Sequence, residues 1–172
     1  MFNVEIIINY RLITFIHPLI IDLIIKNIYR KIMKDFLKGV LEEDLYFPII
    51  EYFQNMNYSI ELEIPIHRNR VDLVAYNHEH LIAVELKLRN WKRALRQATY
   101  YQLGADLSYI AMPLHQAIEP YKHGILLERE GVGLLAVVLN KHEVREVMKP
   151  KQSKRKVEYI ERGIYSTIRK RC

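Results

Sequence analysis

Cysteine is almost missing from this sequence. A single Cys172 among 172 residues excludes an internal disulfide framework and a zinc site built on thiolates, and it fits a reducing, intracellular (cytoplasmic) setting. Glycine is sparse as well, and the pair Gly131 and Gly133 lacks the following Lys-Ser/Thr that a phosphate-binding loop requires, so "GVG" reads as a turn. Long uninterrupted apolar runs are also lacking. The most apolar stretch, "IIINYRLITFIHPLIIDLIIK", is broken by Arg11, His17, Pro18, Asp22 and Lys26 before about 18 clean residues accumulate, which argues against a signal peptide and a membrane span. No internal repeat and no low-complexity linker divides the chain.

What is present is an ordinary globular composition, 50% apolar and 27% charged, enough for one domain with a real core. The formal net charge is +6, unevenly spread. Residues 149–171 carry nine Lys/Arg against Glu158 and Glu161, a local excess of +7, so a polyanion meets the C-terminal end first. That end is either a nucleic-acid arm or a solvated basic tail.

Pro18 suits the first turn of a helix, and Ile21, Ile24, Ile25, Ile28, Ile32 and Phe36 follow at helical spacing as far as Gly39. The stripe needs a partner, either the domain's own core or a second copy in a homodimer. A second helix is predicted from Glu42 to Asn55. "SIELEIPI", "RVDLVAY" and "LIAVELKL" read as three strands of an antiparallel meander over 58–88, with "NHEH" as the second connection. Asn90 can cap a helix with Trp91, Ala94, Leu95, Ala98 and Gln102 inward, ending near Gly104. "LSYIAMP" is a buried strand, 114–130 a helix stopping at Gly131, and "GLLAVVLNKHEVREVM" a hairpin turning at Asn140-Lys141. Val157, Ile160, Ile164 and Ile168 space a last helix within 153–171.

One strand carries an anomaly. "LIAVELKLRNW" places Ile82, Val84, Leu86 and Leu88 on one face, and Ala83, Glu85 and Lys87 on the other. If "NHEH" turns through His78 and Glu79, paired residues sum to 157, which sets Asp72 opposite Glu85 with Cβ atoms about 4.5–5.5 Å apart. Two carboxylates facing each other in an apolar sheet repel unless a cation joins them. Mg²⁺ (or Mn²⁺) suits the place, because it takes oxygen ligands, keeps several waters and is held by one or two carboxylates plus a substrate phosphate. Lys87 then reaches the same phosphate or the attacking water.

Asp72, then twelve residues, then Glu85-Leu86-Lys87, with Gln97 and Tyr101 four apart on the next helix, resembles the PD-(D/E)xK nuclease superfamily over about residues 40–113. The resemblance implies a restriction-endonuclease-like α/β/α core with a mixed central sheet. It also implies metal binding by Asp72 and Glu85, assistance to the attacking water by Lys87, and support from Gln97 and Tyr101. Val71 stands where the family motif has proline. The family's first-helix Glu corresponds to Glu42 or Glu43, and Glu43 is favoured because 43, 46, 50 and 53 share a helical face.

These readings divide the chain into an apolar helical extension (1–39), a nuclease-like core (40–148) and a basic helical tail (149–172). The function they imply is Mg²⁺-dependent hydrolysis of DNA, with Lys92, Arg93, Arg96, Lys154, Arg155 and Lys156 as phosphate contacts. The alternative is a non-catalytic nucleic-acid-binding or assembly module on the same fold. His78 and His80 lack a third ligand and read as solvated.

Overall fold

The computed structural model describes Ile25, Asn27, Ile28 and residues 39–171, which fall in two compact units, 1–40 and 41–172. In the first unit Ile25, Asn27 and Ile28 are helical. The remainder of the helix expected after Pro18, and with it the proposed dimer face, lies outside the described residues.

The second unit is a six-stranded mixed sheet with five α-helices among the described residues. Strands β1 (Ser59–Ile66), β2 (Asn69–Tyr76), β3 (Leu81–Leu86), β4 (Leu107–Pro113), β5 (Gly133–Val138) and β6 (Glu143–Met148) follow one another across the sheet in chain order. The β1–β2, β2–β3 and β5–β6 pairs are antiparallel, whereas β3–β4 and β4–β5 are parallel. Helix α1 (Tyr46–Gln54) precedes the sheet. Parallel neighbours need a crossover. Helix α2 (Trp91–Tyr101) supplies the first, and α3 (Leu114–Lys122) with α4 (Gly124–Glu130) the second. The single helix expected over 114–130 is therefore two. Pro120 removes a donor near the end of α3, and His123 leaves helical geometry. Gly131 then closes α4 at φ 72, a conformation that costs glycine nothing.

The sheet is covered on both faces, which is why every residue of β3 is buried. Leu45, Ile49 and Phe53, from α1 and the turn before it, pack on Leu73, Ala75, Ile82, Val84 and Leu86. On the opposite face α2 contributes Ala94 and Ala98 against Ile110, Met112 and Leu134. Tyr101 and Ala105 join Ile64, Val74 and Ala83 on that face, together with Ile160, Ile164 and Ile168 of α5 (Glu158–Arg169). Residues 149–171 thus belong to the same compact unit as the sheet, not to a separate arm. Gly104 marks how closely α5 docks, since a Cβ there would lie 2.5 Å from Ile164 Cδ1.

Burying three isoleucines contributes on the order of 5 kcal/mol by area. Polar contacts fix the same docking. Lys156 Nζ bonds Asp106 at 2.7 Å and Glu161 at 2.6 Å, and Arg171 donates to the Leu62 carbonyl at 2.6 Å.

Candidate active site

The turn between β2 and β3 is tightened by Asn77, whose side-chain oxygen accepts from the backbone N–H of Glu79 and His80, each at 2.8 Å. It sets the register Leu73↔Val84 through Tyr76↔Leu81, in which every pair sums to 157 as the sequence implies. Continued by one step, that register brings Asp72 to Glu85. The β1–β2 ladder is interrupted at the same level. Leu62 pairs Leu73 and Ile64 pairs Val71, while Glu63 between them adopts φ 55, a left-handed conformation that is rare for a side chain of this kind. Interruptions of this sort re-aim side chains, and here Val71 packs on the same side of the sheet as Val74, leaving Asp72 free of the regular ladder.

Asp72 is then held from one side. Its Oδ2 accepts the Leu86 backbone N–H at 2.8 Å, which leaves Oδ1 uncommitted. Glu85 is buried, 1% exposed, and its Oε2 accepts the Tyr101 hydroxyl at 2.6 Å. Glu85 Oε1 lies 3.7 Å from Lys87 Nζ. The same phenol faces the Arg70 carbonyl at 2.9 Å. A hydroxyl carries one proton, so it donates to an ionised Glu85, or accepts a hydrogen bond from the acid proton of neutral Glu85 while donating to the Arg70 carbonyl.

Burial dominates the electrostatics. It lifts the Glu85 carboxyl to about 7, with Asp72 adding repulsion and Tyr101 and Lys87 pulling down. It lifts Asp72 to about 6, against the Leu86 N–H and Lys87, and with Glu63 and Glu42 adding repulsion. Both groups are acids whose ionised form is under-compensated, the condition in which a cation is bound most readily. Asp72 Oδ1 has no hydrogen-bond partner among the described residues and Glu85 Oε1 faces only the Lys87 ammonium, so the oxygens left over are hard donors of the kind Mg²⁺ or Mn²⁺ takes. Among the described residues no group of three His, Cys, Asp or Glu side chains is arranged to hold a metal, so an ion at this pair would need its remaining ligands from water and substrate.

The carboxylate brought to Lys87 is Glu42, and not the Glu43 that α-helical spacing favours. Glu42 Oε2 lies 3.0 Å from Lys87 Nζ, and Oε1 accepts the Leu88 N–H at 3.4 Å, whereas Glu43 is exposed. The reason is local. Glu42–Leu45 is a 3-10 turn, in which residues three apart align, so Glu42 follows the buried Leu45 inward and Glu43 turns outward.

Gln97 lies one helical turn before Tyr101, and its Oε1 is buried with no hydrogen-bond partner among the described residues. Beside it opens a cleft of about 340 Å³ lined by Asn69, Arg93, Arg96, Gln97 and Tyr100. Lys92 instead lies over the Trp91 ring at 5.7 Å. The tail residues expected at phosphates are engaged differently. Arg155 bonds Glu130 at 3.0 Å and Lys156 bridges Asp106 and Glu161, while Lys154 is exposed. Asn69, Tyr100 and Glu63 join the site although no sequence pattern points to them. Period-two and helical spacing report which face a residue takes, and carry no signal for a left-handed Glu63 or a 3-10 turn.

No family model and no curated protein matches the chain. Two solved structures do. A protein of unknown function from Silicibacter pomeroyi shares 16% identity at a TM-score of 0.57, over 74% of this chain and 84% of that one. An XisH family protein from Nostoc punctiforme PCC 73102 shares 16% identity at a TM-score of 0.48, over 64% of this chain and 100% of that one. The first likeness establishes a shared mixed α/β arrangement and nothing beyond the fold. Among the described residues no helix is long and apolar enough to cross a membrane.

Proposed function

We propose that this chain is a Mg²⁺-dependent nuclease hydrolysing DNA phosphodiester bonds, built on a restriction-endonuclease-like core of the PD-(D/E)xK type. The observation that carries the reading is the meeting of Asp72 on β2, Glu85 on β3 and Lys87 just beyond it, with each carboxylate anchored through one oxygen by an N–H or O–H donor and the other Glu85 oxygen facing Lys87. A structural ion pair would not require a buried Glu85 and a half-buried Asp72, both with raised pKa values, at one point of a sheet.

Asp72 Oδ1 and Glu85 Oε1 would hold the ion, which when bound acidifies water and neutralises charge on the phosphodiester. Tyr101 fixes the orientation of Glu85, and the Leu86 N–H that of Asp72. Lys87 is steadied by Glu42, and its ammonium donates toward the attacking water or a non-bridging phosphate oxygen, aligning the two for in-line attack. Glu42 acts as a positioning residue in this arrangement.

The test is incubation with supercoiled, linear, single-stranded and branched DNA in Mg²⁺ or Mn²⁺, beside Asp72→Asn. Cleavage by the parent chain and none by the variant supports the reading. DNA binding without metal-dependent cleavage of any substrate would favour a non-catalytic nucleic-acid-binding or assembly module on the same fold.

A further inference from the structure

The cleft beside the carboxylates has a composition of its own. Its wall on α2 presents Arg93, Arg96, Gln97 and Tyr100, and its other wall is Asn69 at the start of β2. Arg93 and Arg96 are exposed, lie three apart on one helical face, and among the described residues neither guanidinium is paired with a carboxylate. Six other described arginines are paired with carboxylates, Arg70 with Glu63, Arg129 and Arg155 with Glu130, Arg145 with Glu143, Arg162 with Glu158 and Arg171 with Glu61, while Arg68, Arg89 and Arg169 have no such partner among the described residues but do not line the cleft. Two free guanidiniums over one concavity constitute an anion seat.

The rest of the lining is not what a bare phosphate needs. Asn69 and Gln97 bring two side-chain amides to the lining, and the Gln97 amide also hydrogen-bonds the Tyr101 hydroxyl, which ties the cleft to the Glu85 partner. Tyr100 supplies an aromatic ring, and its hydroxyl is held by His67 Nδ1 at 2.7 Å, which fixes the ring at the cleft wall. Two amides, a tethered aromatic and two guanidiniums form the chemistry by which an unpaired nucleotide is held: ring against base, amides on the base edge, guanidiniums on phosphate. The cleft is shallow and open to solvent, with a volume of about 340 Å³.

The cleft is joined to the carboxylates on both sides. Gln97 precedes Tyr101, the Glu85 partner, by one turn, and Asn69 precedes Arg70, whose carbonyl faces that same Tyr101 hydroxyl. We propose that the cleft seats one unpaired nucleotide next to the scissile phosphate, so that the substrate is a single strand or an unpaired strand end and not continuous duplex. A base inside a stacked duplex cannot enter a concave pocket without first leaving the stack. This inference rests on the nuclease reading for the word scissile, but its binding content stands without it.

The test is therefore a binding measurement made without metal. A fluorescein-labelled single strand of about 12 nucleotides, within the usual footprint of single-strand sites, and a blunt hairpin duplex of equal phosphate count are titrated by anisotropy in EDTA. The expected result is preference for the single strand, with Asn69→Ala and Tyr100→Ala each weakening it about tenfold while duplex binding is unchanged. Tyr100→Phe, which keeps the ring, should retain most of the single-strand affinity, and this separates stacking from a folding defect. Arg93→Ala should weaken both ligands, as a phosphate contact does. Equal loss on single strand and duplex in Asn69→Ala and Tyr100→Ala, or duplex preferred by the parent chain, would overturn the inference. Failure of the nuclease reading shows separately, as absent cleavage with the binding pattern intact.

Discussion

Replacing Glu85 with Gln removes one buried charge and keeps the shape, so it isolates the cost of holding a carboxylate there. Burial and the neighbouring Asp72 lift the Glu85 carboxyl from 4.5 to about 7. At about 1.4 kcal/mol per pH unit, ionised Glu85 burdens the folded state by roughly 3 kcal/mol above pH 7. The sign follows from proton counting. Between pH 4.5 and 7 the folded chain holds a proton on Glu85 that the unfolded chain has released, so stability falls as pH rises through this window. Asp72, lifted from 3.8 to about 6, adds a fall in the same direction over a lower window.

Glu85→Gln should therefore gain up to about 3 kcal/mol at pH 8 without metal, less the Lys87 contact that it forfeits, and little at pH 4. For a chain of this size that is on the order of 5–10 °C in Tm. The Tyr101 hydroxyl still has an oxygen to donate to. Urea melts from pH 4.5 to 8.5 in EDTA read this out, and repeating them in Mg²⁺ should stabilise the parent chain above pH 7 but not the variant. A parent chain of constant stability from pH 5 to 8, or a variant less stable than the parent at pH 8 in EDTA, would refute the reasoning.

Further outcomes follow from the same geometry. The Tyr101 hydrogen bond holds the Glu85 carboxyl down, so Tyr101→Phe should raise its pKa and displace the pH dependence of Mg²⁺ affinity to higher pH, readable by calorimetry across pH 6–9. Affinity for Mg²⁺ in the parent chain should itself climb as pH passes about 6 and then about 7, because the ion binds the deprotonated pair. Ile164→Ala, in the fully packed contact of α5 on the sheet, should cost about 2–5 kcal/mol in chemical denaturation. Lys156→Ala removes the one cation paired with Asp106 among the described residues, leaving it the Leu81 N–H and Gln152, and should lower stability with a smaller effect on DNA affinity than Arg93→Ala, measured by melts and by anisotropy.

Sequence alone carries much of this arrangement wherever periodic burial is the signal. The alternation in "SIELEIPI" and the continuous buried run "LSYIAMP", ended by Pro113, mark β1 and β4 at the ends they have. Asn77, placed to close a tight turn, lets simple counting put Asp72 opposite Glu85. The same counting shows why Val157, Ile160, Ile164 and Ile168 form one face, but a face does not say whether it meets the body or a polyanion. The basic residues 149–171 look like an arm in sequence because charge is visible and pairing is not: Glu130, Asp106 and Glu161, which neutralise Arg155 and Lys156, are up to 50 residues apart from them in the chain. Glu43 is favoured over Glu42 only under α-helical spacing, which does not apply within a 3-10 turn. Asn69 and Tyr100 are linked by the fold alone, because β2 begins beside the α2 face that carries Gln97. The Gln97 oxygen, without a hydrogen-bond partner among the described residues, shows only once its neighbours are in place.

The most direct measurement is single-turnover DNA cleavage in Mg²⁺ by the parent chain, Asp72→Asn and Lys87→Ala, with DNA affinity measured on the same three proteins in EDTA. The expected result is cleavage by the parent, none by Asp72→Asn, a loss of at least about a hundredfold in Lys87→Ala, and DNA affinities within a few-fold of one another. Cleavage that persists in Asp72→Asn, or a parent chain that binds DNA and cleaves none of the substrates in Mg²⁺ or Mn²⁺, would contradict the assignment of this site as a nuclease centre.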